Sequence, residues 1–388
     1  MNETVARYIS LFLILCAIVM FSSCQYGQID EETSIWGRFG GEGRLFNTYT
    51  TYSDTPTPKW DVQLVSGSTW SNIASNKDFI FVVVDGEKQK ELLKLRKRTG
   101  RVFAQQVIRV GNYLKYDIEC TGDQVYLLYN GILRCFESNS MVLFWDTYQR
   151  KNSILCYDVF GSIVIAIDDT QALEFIDKKT GMPIWRTRLD ANFKYEYVTT
   201  DGKNLIVSGS GMGVGKSIYM GFDIASGEKL WSYISDGLTK APPQIQGDYV
   251  YITEFGLFST RELRTGKLKW SQIFKSNNPT SIQIETSPAI NDRYIYTIFD
   301  RDLLILDSRI GHKVIKKSIP EKYNTPKFLL AAGEKVFLIL DGNPYMLVYD
   351  IMKNEFTTSY SGIDKNIIDV AFSDGVIIQA RESVAYYK

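Results

Sequence analysis

Asp177-Lys-Lys-Thr-Gly-Met-Pro-Ile-Trp185 and Asp223-Ile-Ala-Ser-Gly-Glu-Lys-Leu-Trp231 share one spacing: an acidic residue, Thr or Ser three positions on, then Gly, and Trp eight positions on. Glu262-Leu-Arg-Thr-Gly-Lys-Leu-Lys-Trp270 is a third copy, and Glu137-Ser-Asn-Ser-Met-Val-Leu-Phe-Trp145 a fourth that has lost its glycine. An Asp/Thr/Ser/Gly cluster between apolar runs predicts a tight turn in which Gly takes a positive φ. The strand that follows carries a Trp large enough to fill the space between two sheets.

Working outward, weaker copies put Ala104, Ile315 and Thr358 at the Trp position, and Trp60 opens the series without strands before it. The Trp-equivalent positions 60, 104, 145, 185, 231, 270, 315 and 358 step by about 39 to 46 residues. A period in the low forties that holds about four short strands is that of a propeller blade. Runs such as Ile163-Val-Ile-Ala-Ile167 and Val250-Tyr-Ile-Thr253 are β-branched and apolar, as doubly buried strands require. Asp85-Gly86, Asn130-Gly131 and Asp341-Gly342 are hairpin signals. The last segment, from Asp369 to Lys388, has strands but no Trp element, whereas Trp60 has the Trp element alone. Each end lacks what the other has. The expected fold is therefore an all-β, eight-bladed propeller of four-stranded blades over residues 57–388, closed by pairing of the N-terminal strand at Lys59-Trp60-Asp-Val-Gln-Leu64 with the C-terminal strands. Trp60, Trp145, Trp185, Trp231 and Trp270 are read as structural, inter-blade tryptophans.

The chain of 388 residues balances 44 Lys and Arg with 44 Asp and Glu, which argues against nucleic acid as a partner. One histidine, His312, leaves little basis for His-rich metal sites, haem axial pairs or Ser-His-Asp catalysis. Cys120, Cys135 and Cys156 read as small buried core residues, and no CxxC pair is present. The amino terminus reads as an address. An uncharged run from Tyr8 to Phe21 precedes Ser22-Ser23-Cys24, too short for a membrane span and suited to a signal-peptide core. The small residues before Cys24 resemble a bacterial lipobox. The expected organisation is a signal peptide over 1–23, a lipidated tether over 24–56 anchored at Cys24, and the propeller thereafter. The compartment is the cell envelope.

Gly209-Ser-Gly-Met-Gly-Val-Gly-Lys-Ser217 looks like a phosphate loop, but Ser210 stands where the first Gly of that motif belongs, and a strand follows where a helix should. It reads as a long hairpin. Glu87-Lys-Gln-Lys-Glu-Leu-Leu-Lys-Leu-Arg-Lys-Arg-Thr-Gly-Arg101 is locally basic and reads as a solvated blade edge, where cations also discourage edge pairing.

The Asp/Glu-x-x-Thr/Ser-Gly-x-x-x-Trp element resembles the pyrroloquinoline-quinone-type propeller repeat and lacks the Gly-His and Trp-Asp signatures of WD40 repeats. An eight-bladed lipoprotein of this length is similar to the BamB family of outer-membrane protein assembly lipoproteins, whose first strand Thr57-Pro-Lys-Trp-Asp-Val-Gln-Leu-Val-Ser-Gly-Ser68 resembles. The resemblance implies a non-catalytic scaffold in the outer membrane, facing the periplasm, that binds periplasmic domains of a barrel insertase through loops on one face. In that family one contact loop follows Leu-Asp after the fourth Trp position. Here Leu189-Asp190 leads into Ala-Asn-Phe-Lys-Tyr-Glu-Tyr197 without the family's Leu-Arg pair. The second contact loop corresponds to Ser235-Asp-Gly-Leu-Thr-Lys-Ala-Pro-Pro243, with one Asp only. Phe193, Tyr195, Asp236 and Leu238 are the expected partner-binding residues of these inter-blade loops. No catalytic residue, cofactor or metal is expected. The alternative is a propeller that binds pyrroloquinoline quinone or another small ligand in a quinoprotein-like enzyme, a class that resembles this repeat but is usually much longer.

Overall fold

The computed structural model describes residues 58–63 and 72–387, apart from 86–89, 109–115, 213–214, 240, 255, 275–287, 292, 324–325, 333, 341–344, 361–366, 373–375 and 381–382. The expected signal peptide, Cys24, the tether, Gly86 and Asp341-Gly342 lie outside the described residues. No helix among the described residues is long and apolar enough to cross a membrane.

Eight four-stranded antiparallel sheets follow one another along the chain and form the ring of an eight-bladed β-propeller. Blade 1 comprises Ala74–Ser75, Phe79–Asp85, Lys90–Arg96 and Val102–Ile108. Blade 2 comprises Tyr116–Thr121, Gln124–Tyr129, Ile132–Glu137 and Leu143–Asp146. Blades 3, 4 and 5 span 154–188, 193–235 and 244–273, and blades 6 and 7 span 289–318 and 326–360. The eighth sheet joins Pro58–Gln63 to Ser383–Tyr387, then to Val376–Ala380 and Ile367–Phe372. Trp60 pairs with Tyr386 in that ladder. The first and last described strands thus share one blade, and among the described residues the ring leaves no open terminal sheet.

Sequence chemistry explains the individual blades. Val164 to Ile167 on the second strand of blade 3 are fully buried, because neighbouring blades cover both faces of the sheet. The fourth strands face solvent on one side, and Pro183–Arg188 alternates exposed and half-buried residues. Asn130 and Gly131 both take positive φ, 48° and 71°, which is the backbone of the two-residue turn that joins two twisted strands of blade 2.

In the clearest repeats the acidic residue caps its own turn. The Asp177 carboxylate accepts from the Thr180 amide at 2.8 Å and from the Thr180 hydroxyl at 2.8 Å, while the Gly181 amide donates to the Asp177 carbonyl at 2.8 Å. Asp223 makes the same bonds with Ser226 and Gly227. These bonds hold the Asp177 and Asp223 carboxyls below the usual carboxylate range. The tryptophan eight positions on then reaches the turn of the next blade. Trp145 Nε1 donates to the Lys178 carbonyl at 2.8 Å and Trp231 Nε1 to the Leu263 carbonyl at 2.8 Å. Trp60 reaches the Lys97 carbonyl at 2.7 Å and Trp270 the Ser308 carbonyl at 3.2 Å. Each indole lies against the turn glycine of that next blade: Trp60 on Gly100, Trp145 on Gly181, Trp185 on Gly227, Trp231 on Gly266 and Trp270 on Gly311. The repeat therefore encodes a contact between blades as well as a turn within one.

The seam between blades 1 and 2 departs from this rule. Blade 1 has Ala104 at the Trp position, and blade 2 has Met141 at the turn position, with a positive φ of 63°. Ala104 and the buried Met141 pack in the same cluster. Lys94, which pairs with Ala104 across the sheet, donates from Nζ to the Asn139 carbonyl in the turn of blade 2 at 2.7 Å. A missing indole, a larger turn residue and a buried lysine replace the Trp-on-Gly contact together.

Candidate functional site

Blade 4 carries the loops singled out in the sequence. Its first strand is Phe193–Thr200, so Phe193 and Tyr195 stand on the innermost strand instead of in the preceding loop. Their side chains are buried, at 7% and 1% exposure, against blade 3 residues such as Ile165 and Leu173. This corrects their expected place in the inter-blade loop. The connection before them is only four residues long: Asp190 caps the Asn192 amide at 2.9 Å, and pairing starts at Phe193 with Gly211. From there alternation drives 193 and 195 inward together. Burial pushes the Tyr195 phenol up to about 12.

Asp236 and Leu238 do lie in the loop that leads from blade 4 to blade 5, and both are exposed. The hairpin between Asn204–Gly211 and Ser217–Asp223 stands next to that loop. Lys216 Nζ lies 3.4 Å from the Asp236 carboxylate, and the Thr239 amide donates to the Ser217 hydroxyl at 2.7 Å. The same hairpin touches the 190–192 turn, where the Met212 amide donates to the Asn192 carbonyl at 3.1 Å. Met212 is 61% exposed and Leu238 42%. One end of blade 4 thus presents two exposed apolar side chains beside a solvated Lys–Asp pair. Of the glycine-rich stretch, residues 209–211 end one strand of this hairpin and Ser217, fully buried, begins the next.

Beneath the loop lies a carboxyl that sequence reasoning passed over. Glu254, at the end of a blade 5 strand, is 0% exposed and faces the Ser235 and Tyr219 hydroxyls. A Cβ on Gly237 would come within 3.2 Å of the Glu254 Cβ, so the loop seals directly over this residue. Burial raises the Glu254 carboxyl above its ordinary value, against the lowering pull of Ser235, Tyr219 and Arg261. Tyr219 stacks on Tyr233 with ring centroids 6.1 Å apart, and the Arg261 guanidinium lies 3.4 Å from the Tyr233 ring centre. Nothing in a sequence that alternates Thr253-Glu254 with apolar neighbours separates this buried glutamate from a solvated one.

Among the described residues no group of three or more His, Cys, Asp or Glu side chains is placed to hold a metal ion. Cys120, Cys135 and Cys156 are buried in three different clusters. Burial pushes the Cys120 thiol up to about 12, so it carries no thiolate near neutrality. A polar network on blade 3 is structural in form. Arg186 bridges Asp168 at 2.6 Å and Glu174 at 3.0 Å, Arg150 also binds Glu174, and Asp168 accepts from Asn152 at 3.0 Å and the Thr170 hydroxyl at 2.6 Å.

Comparison with known proteins places this geometry. Among solved structures, BamB from Moraxella catarrhalis superposes with a TM-score of 0.61 at 12% identity, covering 86% of this chain and 99% of that one. The computationally designed Ika8 protein gives 0.65 at 12% identity over 85% of this chain and 99% of its own. A europium-containing methanol dehydrogenase gives 0.58 at 10% identity over 83% and 84%. At such identities these likenesses carry the fold alone. No curated protein matches the sequence. The family described as outer membrane protein assembly factor BamB matches residues 130–348, which run from the blade 2 hairpin into blade 7. Since that match spans more than half of the chain, the chain belongs to the outer membrane protein assembly factor BamB family.

Proposed function

We infer that this chain is a non-catalytic envelope lipoprotein whose propeller serves as a protein–protein scaffold in outer-membrane β-barrel assembly. The observation that carries this reading is the family match over 130–348, since the fold by itself hosts many functions. In this reading the signal peptide over 1–23 is removed, Cys24 bears the lipid, 24–56 is the tether, and residues 57–388 work at the periplasmic face of the outer membrane. The partner is a set of periplasmic domains of a barrel insertase. The end of blade 4 around Asp236 and Leu238 supplies one docking point, with exposed apolar groups for affinity and a solvated charge pair at the rim.

Mild solubilisation of native membranes, capture through a C-terminal tag and mass spectrometry test the reading. Recovery of an outer-membrane barrel insertase with periplasmic repeats supports it. Recovery of a different envelope complex overturns it while leaving the propeller in place. Metabolic labelling with a palmitate analogue tests the anchor: label should enter the chain and be lost in Cys24→Ala.

A further inference from the structure

The outer strand of each blade ends a sheet and exposes one row of backbone N–H and C=O groups, a template for another strand. Seven of the eight outer strands carry at least one charged residue: Pro58–Gln63, Leu143–Asp146, Pro183–Arg188, Lys229–Ser235, Leu268–Ile273, Lys313–Ser318 and Glu355–Tyr360. Such charges oppose edge-to-edge pairing. Blade 1 differs. Its outer strand, Val-Phe-Ala-Gln-Gln-Val-Ile from Val102 to Ile108, has no charged residue. Val102 is 50% exposed, Phe103 51% and Val107 38%, so apolar groups face water along this edge. After the irregularity near Phe103, residues 104–108 pair in regular register with 90–94, which gives the free side a regular ladder to offer.

The end of this edge is cationic. Arg101 precedes Val102 directly, and the Arg96 amide donates to the Arg101 carbonyl at 2.9 Å, so the turn brings Arg96, Arg98 and Arg101 together in sequence and space. All three are exposed. Among the described residues none of them forms an ion pair.

We propose that the outer edge of blade 1, Val102–Ile108, is a strand-addition site for an extended segment of a partner protein, apolar at alternate positions and acidic at its C-terminal end. Every pair of neighbouring strands in the blade is antiparallel, so an added strand that continues the pattern places its C-terminal end beside Val102 and the three arginines. Main-chain hydrogen bonds supply affinity, and Val102, Phe103 and Val107 select for apolar side chains. A second copy of this strand is the poorer occupant, because its own sequence continues from Ile108 into Arg109 and supplies a cation where an anion is wanted. The inference stands on the edge itself and holds whichever envelope machine the propeller serves.

The test uses the full chain in mild detergent and a fluorescein-labelled peptide, Ser-Val-Thr-Val-Gln-Val-Asp-Asp. Binding is read by anisotropy, and amide hydrogen exchange of residues 102–108 is followed with and without peptide. The expected result is saturable binding, slowed exchange confined to this strand, and binding weaker by about tenfold when the two Asp residues are moved to the peptide's N-terminus. Val107→Lys, at an exposed position, should remove binding while circular dichroism stays that of the parent. Arg98→Glu with Arg101→Glu should abolish the preference between the two peptides. Equal binding by Val107→Lys, unchanged exchange at 102–108, or protection of this strand through dimer formation without peptide would overturn the proposal.

Discussion

The indole of Trp145 lies against Gly181 of the next blade so closely that a Cβ at Gly181 would sit 2.6 Å from its Cδ2. The backbone of Gly181 is also at φ +70°, so a side chain there is strained twice. Gly181→Ala should lower unfolding free energy by about 3 kcal/mol, from left-handed strain and overpacking together. Trp145→Ala, which empties a buried aromatic site, should cost about 3–5 kcal/mol. In the double variant the clash has no partner, so the two losses should sum to more than the measured one in urea denaturation. Strict additivity would mean that the contact does not hold the seam.

The seam between blades 1 and 2 behaves differently. Met141 holds a positive φ, and Met141→Gly relieves about 1 kcal/mol of backbone strain. The same change removes a side chain that is only 4% exposed, a loss of about 2–5 kcal/mol. Burial wins, so Met141→Gly should destabilise, in the opposite sense to what the repeat consensus suggests. Thermal unfolding of this single variant decides the point.

Glu254 makes stability depend on pH with a definite sign. Its folded-state carboxyl is raised above the ordinary 4.5 because burial disfavours the charge. Above the unfolded value the unfolded chain loses this proton before the folded chain does, so the contribution to stability is complete at low pH and falls as pH rises toward the raised value. Glu254→Gln should therefore stabilise the protein at neutral pH and lose that advantage near pH 4. Paired urea titrations at the two pH values measure it, and a variant less stable at pH 7 would contradict the assignment.

Asp168 works in the other direction. Burial alone would raise it, but the Thr170 hydroxyl, the Ala172 and Thr170 amides and the Asn152 amide hold it below its ordinary value. Its contribution is present above the unfolded value of 3.8 and is lost as pH falls through the lower folded one. Asp168→Asn should cost about 2 kcal/mol at neutral pH, short of the ~3–5 kcal/mol for a fully buried pair because Arg186 is 45% exposed. The difference between variant and parent should shrink in acid.

The two halves of the expected binding site separate under mutation. Asp236→Lys with Leu238→Arg alters only exposed groups and should reduce partner recovery with the unfolding midpoint unchanged. Phe193→Ala and Tyr195→Ala each empty a buried position and should instead destabilise by about 3–5 kcal/mol. Recovery and denaturation measured on the same preparations distinguish the two outcomes.

The sequence by itself determined the number of blades, their order and the closure of the ring. Those features follow from a repeat that records a turn and a tryptophan at fixed spacing, and from two chain ends that complete one sheet, as the Trp60 and Tyr386 pairing shows. Only the tertiary structure decided which apolar groups reach solvent. Phe193 and Tyr195 follow a connection of four residues and so begin a strand that faces blade 3, while Leu238 sits in a longer connection and stays outside. The same holds for Glu254, and for the coupled exchange of a tryptophan and a glycine for Ala104 and Met141 across a seam. Burial and contact between blades depend on residues some forty positions apart meeting in space, and a local pattern of residue types records the strand without recording what comes to rest against it.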